Sequence, residues 1–146
     1  MFEQDYLMKQ LLMFFRALTR SWEQMEDEDD PQGAADTLEN AITSATDMDG
    51  AALLTLAPES IASIMQVTGV DPHIVEYLSR SMLLESVYLE NAGNKGLSDV
   101  RAAQARAIAD AYGFELPEDP SDFEAITAGL EEEALQASGD LGLFTD

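Results

Sequence analysis

The sequence predicts an all-α fold. Apolar residues recur at i, i+3 and i+4 along nearly the whole chain, which is the period of a helix buried on one side. Helix-starting and helix-ending residues stand where that period begins and stops. No segment alternates in polarity long enough for a strand; VTGV and GLF come nearest and are too short. At 146 residues the chain has a one-domain length, sufficient to bury roughly two thirds of its unfolded surface. The expected organisation is a single domain of about six helices arranged as antiparallel hairpins. An amphipathic helix occupies 1–25, an acidic linker 26–33, a helical core 34–117, and an acidic helix and tail 118–146.

The first helix carries Leu7, Leu11, Phe14, Phe15, Leu18, Trp22 and Met25 as one stripe, with Asp5, Lys9, Arg16 and Arg20 opposite. The run EDEDDPQG ends it, because like charges repel and Pro31 and Gly33 punctuate. A second helix follows over Ala34–Ala45, with Ala34, Leu38, Ala41, Ile42 and Ala45 on one side. Pro58 suits the first position of a third helix, where its missing N–H has no partner to lose. That helix buries Ile61, Ile64 and Met65 and closes at Gly69. Asp71 and Pro72 open a fourth as N-cap and first residue. Apolar residues from Ile74 to Leu89 cover most of its circumference, which places it at the centre of the core. A fifth helix spans Ser98–Tyr112, and its alanines at 102, 103, 105, 107, 109 and 111 permit close approach of a neighbour. Ser121 with Glu124 has the form of a capping box for a sixth, whose inner stripe is Phe123, Ile126 and Leu130.

Two parts of this pattern resemble a known family. The opening MFEQDYLMKQ…RAL, followed by LAPESIASIMQVTG and YLSRSMLLESVYLENAG, is similar to a family of small bacterial proteins grouped as a domain of unknown function. The resemblance implies a tetratricopeptide-like core of helical hairpins, with Gly93, Ala105 and Pro117 at corresponding places. The chain departs from the repeat in lacking an aromatic in the first helix's opening turn and in its longer loop NKGLSD. A lone hairpin makes no solenoid, since single repeats do not bury their own faces. Peptide binding is what true repeats would imply, and no catalytic residue is carried over.

Charge narrows the function classes. Twenty-nine acids against seven bases give a formal charge of −22, which repels phosphate and excludes nucleic acid as a ligand. Residues 1–25 balance Glu3, Asp5 and Glu23 against Lys9, Arg16 and Arg20, so the rest of the chain holds the entire net charge. No apolar run approaches the ~20 residues needed to span a bilayer, and the LLMFF run is too short and charge-bracketed for a secretory signal. The expected location is the cytoplasm. The chain has no cysteine, so thiolate nucleophiles and zinc–sulfur sites are absent. DMDG at 47–50 resembles a calcium loop, but with Gly50 as the turn glycine the first and last ligand positions fall on Ala45 and Leu56. It is therefore a turn, and no metal or cofactor is expected. His73, the one histidine, stands in the first turn of its helix without a nucleophile or orienting motif, as a partly buried structural residue.

What remains is interaction. The methionines and aromatics of the first helix suit an adaptable contact surface as well as a core. Phe14, Phe15, Leu18 and Trp22 are the residues expected to associate, through a homodimer built on this helix. Tyr77, Leu84 and Tyr88 are expected to line either the core or a groove edged by acid for a basic or amphipathic peptide. The favoured function is thus a non-catalytic helical interaction or scaffold protein. An acidic nucleic-acid mimic that inhibits a basic protein comes second, and an enzyme with an unrecognised site third.

Overall fold

The computed structural model describes residues 2–46 and 50–130. Its helices are α1 (Phe2–Glu26), α2 (Pro31–Thr46), α3 (Gly50–Leu53), α4 (Pro58–Thr68), α5 (Pro72–Asn91), α6 (Lys95–Tyr112) and α7 (Phe123–Thr127), with no strand among the described residues. The fold is all-α. The centre is α5, on which α1, α2, α6 and α7 all pack, while α4 lies against α6. Thirteen of its residues are buried, including Leu78, Met82, Leu83 and Leu84, as an all-round apolar helix requires. From α1 come Phe14 and Leu18, and from α2 Leu38 and Ile42, all without exposed surface. Each such side chain contributes roughly 1.5–3 kcal/mol by leaving water.

The α5–α6 pair is an antiparallel hairpin fastened twice across its interface. Ser79 Oγ donates to the Ala105 carbonyl at 2.9 Å, and Ser98 Oγ to the Ser86 carbonyl at 2.6 Å. A side-chain oxygen reaches a neighbour's backbone only where the helices lie close, and buried Ala105 and Ala109 leave that room.

The helix boundaries correct the expected ones in three places, each for a local reason. Residues 27–30 form a tight turn, and α2 starts at Pro31 instead of Ala34. Pro31 takes the tolerated first position, and the Asp30 carboxylate accepts the Gly33 N–H at 3.0 Å. A Cβ at residue 33 would run into that carboxylate, so the glycine serves the cap and does not break the helix. Next, α6 begins at Lys95 instead of Ser98, because the Asn94 side chain caps it through Leu97 N. Finally, Asp122, not Ser121, caps α7 by accepting from Ala125 N at 3.1 Å, while the Ser121 hydroxyl donates to Asp119. Elsewhere the expected punctuation stands. Pro58 and Pro72 open their helices, Asp71 Oδ1 accepts from His73 N at 2.8 Å, and Gly69 closes α4 in the left-handed region at φ 72°.

Candidate functional site

The residues expected to carry association lie mostly inside the molecule. Phe14 and Leu18 have no exposed surface, and the Phe14 ring packs 6.2 Å from that of Tyr77. They belong to the chain's own core and offer nothing to a second copy while α1 stays in place. That corrects their assignment to an association face: α5 covers the stripe that the sequence left uncovered. Phe15 and Trp22 are half-buried, and Trp22 stacks on Phe123 with centroids 4.7 Å apart and 20° between planes. Tyr77, Leu84 and Tyr88 likewise form core and not groove. The Tyr88 hydroxyl lies 2.9 Å from Ser21 Oγ, and that of Tyr77 donates to the Leu130 carbonyl at 3.2 Å. Burial pushes the Tyr88 hydroxyl's pKa upward, so it stays a neutral partner.

His73 is a further correction. Its side chain is 64% exposed beside Asp71, with Nδ1 3.2 Å from Oδ1, on the solvent side of a first turn whose Ile74 and Val75 are buried. No group of three or more potential metal ligands gathers among the described residues. Asp47 and Asp49 of the DMDG turn lie outside them.

Two arrangements that the sequence did not single out remain. The first is a buried polar cluster. Arg101 and Gln104 of α6 and Glu85 of α5 are buried, and Glu39 of α2 reaches them from the rim. Arg101 Nη1 donates to Gln104 Oε1 at 2.8 Å and to the Leu54 carbonyl at 3.0 Å, and Nη2 donates to Glu39 Oε1 at 3.2 Å. Gln104 Nε2 donates to the carbonyls of Leu54 and Leu56. The turn joining α3 to α4 is thereby tied to α6. Burial pushes the Glu85 carboxyl up to about 8, against the pull of Arg101 and with the push of Glu39. A signal was present in the sequence: Arg101, Gln104, Ala105 and Ile108 share one helical stripe, which puts a charge among core positions.

The second arrangement is a cleft of about 390 Å³ between the C-terminal half of α6 and the segment that leaves it. Phe114 and Leu116 form its apolar part, with Asp110, Glu115 and Glu118 around them. Arg106, the cation of the cleft, donates through Nη2 to the backbone carbonyls of Pro117 and Glu118 at 3.2 and 3.3 Å. It pins the segment to the helix and leaves the three carboxylates without a cationic partner in the cleft. The α6 carbonyl end adds partial negative charge to the same region.

Three further cations are also engaged internally. Arg20 pairs with Glu28 and Glu23, Lys95 with Asp99 and Glu90, and Arg80 pairs with Glu76 and donates to the Ala125 and Ile126 carbonyls. Most of the positive charge is thus committed within the molecule, and the outward surface is that of the carboxylates. No described helix is long and apolar enough to cross a membrane. Compared with protein-family models, curated proteins and solved structures, the chain matches none of them.

Proposed function

We propose that the protein is a non-catalytic interaction module that receives a cationic, amphipathic peptide segment of another protein in the α6 cleft. The observation that carries this reading is that Asp110, Glu115 and Glu118 line one cleft with Phe114 and Leu116 while its one arginine is occupied by backbone. Lysine or arginine side chains would meet the carboxylates, and an apolar side chain between them would meet Phe114 and Leu116. The chain's net charge of −22 steers such a partner from a distance and speeds its arrival. Steering alone would not select the cleft; its local charge together with Phe114 and Leu116 does.

The test separates these contributions. A fluorescein-labelled amphipathic Lys/Leu peptide is titrated by anisotropy against wild type, the cleft triple D110N/E115Q/E118Q and a control triple, D36N/E59Q/E124Q. Both triples remove the same charge. The expected result is affinity lowered about tenfold or more by the cleft triple, a loss of ~1.4 kcal/mol, and lowered only two- to threefold by the control. Equal losses in the two triples would show that the field alone attracts the peptide and would overturn the reading.

A further inference from the structure

Where α2, α5 and α6 meet, two carboxylates face one guanidinium in the core. Glu85 Oε1 lies 3.2 Å from Arg101 Nε, without the alignment of a hydrogen bond, and Glu39 Oε1 accepts from Arg101 Nη2 at 3.2 Å. Glu85 has no exposed surface and Arg101 only 2%, whereas the Glu39 side chain is 35% exposed. With both glutamates ionised, the buried trio carries a net negative charge that one arginine does not balance. A proton on Glu85 removes that charge and leaves an O–H able to donate toward Glu39, the carboxylate held by the same guanidinium.

We propose that Glu85 and Glu39 share one proton above Arg101, and that this proton is a latch holding the 54–56 turn and α2 against the α5–α6 hairpin. While the proton is present, Arg101 keeps its bonds to Leu54, Gln104 and Glu39, and Gln104 keeps Leu54 and Leu56. Once it leaves, the guanidinium is drawn to the buried Glu85 charge, Glu39 is repelled, and the turn's carbonyls lose their donor.

The surroundings leave few other groups to act on Glu85. Among the elements packed on α5, α6 supplies Arg101 and α2 supplies Glu39. The faces of α1 and α7 are filled by Phe14, Leu18, Ser21 and Ile126, and their Arg16, Arg20, Glu23, Glu26 and Glu124 are exposed. On α5 itself, Glu76 pairs with Arg80, which stands about one and a half turns before Glu85, and Glu90, as far beyond it, is exposed.

The direction with pH follows from the two states. In the folded chain burial raises Glu85 to about 8, and its ordinary value is 4.5. The folded state therefore holds an extra proton between those values. The stabilisation is complete below the ordinary value and is lost as pH rises through about 8, by up to about tenfold in the folding constant per pH unit.

Urea unfolding of the full chain at pH 6 and pH 8, wild type beside E85Q, reads this directly. Wild type is expected to lose about fiftyfold in its folding constant over the interval, and E85Q, which cannot ionise, less than threefold. A parallel fall in both proteins, or a flat wild type, overturns the shared proton. If E85Q does not fold, ¹³C-carboxyl NMR of wild type replaces it: one glutamate titrating near pH 8 supports the assignment, and all midpoints below pH 6 overturn it. The latch has its own readout in hydrogen exchange of the Thr55 and Leu56 amides, corrected for the intrinsic rate. Their protection should fall between pH 7 and 9 by more than that of α5 amides. Equal change in both would reduce the cluster to a buried acid without a latch.

Discussion

Truncating Phe14 to alanine tests whether α1 is core or a detachable contact element. The side chain has no exposed surface and packs against the Tyr77 ring. Replacing it with alanine removes the six ring carbons and leaves a cavity bounded by α2 and α5, which other core side chains hold open. Such replacements cost roughly 3–5 kcal/mol, against a total of about 5–15 kcal/mol for a domain. A single ring is thus worth about a third of the stability. In urea, with a slope of about 2 kcal/mol per molar, the midpoint should fall by roughly 2 M at unchanged slope. Far-UV circular dichroism reports the midpoint, and light scattering on a sizing column reports the mass. A loss below about 1 kcal/mol would mean that the site collapses freely or that α1 is not part of the fold in solution. A change in mass without a change in stability would restore association through α1 and refute its assignment to the core.

Two further substitutions probe separate links. Asp71→Ala removes the oxygen that accepts from His73 N at the start of α5; the expected loss is ~1 kcal/mol, seen as a melting temperature about 3 °C lower. Phe123→Ala removes the ring stacked on Trp22, the one tryptophan. Its emission should shift to the red while stability falls by about 1–2 kcal/mol, and an unshifted spectrum would mean that α7 does not cover α1.

Much of the architecture was legible because each helix keeps one apolar period and starts on residues with few alternatives. Pro58, the Asp71–Pro72 pair and Gly69 do in the structure what their chemistry dictates. The misplaced starts share a cause: one residue type has opposite meanings one position apart. Pro31 and Gly33 break a helix if inside it, yet at its first turn they permit the Asp30 cap. Ser121 and Asp122 are both good caps, and which one serves depends on where Asp119 sits. Function was less legible. An apolar stripe shows that Phe14 and Leu18 must be covered but not by what, since the covering helix lies far along the chain. The buried charges escaped notice for a different reason. Glu85 and Arg101 are ordinary surface residues by type, and only their mutual geometry, with Glu39 and the Leu54 carbonyl, makes an interior position tolerable. The cleft escaped too, because Asp110 and Glu118 flank a break in helical pattern where periodicity says nothing.

The central position of α5 also sets an order of events during synthesis. The α1–α2 pair leaves the ribosome with Phe14, Leu18, Leu38 and Ile42 uncovered, and the Tyr77–Leu84 face that will cover them emerges some 60 residues after Phe14. At cellular elongation rates that interval is roughly 3–12 s, far longer than helix formation takes. The nascent hairpin must therefore persist with its apolar side bare. The run Glu26-Asp27-Glu28-Asp29-Asp30, from the last residue of α1 through the turn, is the most concentrated charge in the chain and emerges between the two apolar stripes. Five adjacent carboxylates at that point make neighbouring nascent chains repel one another while the core is still incomplete.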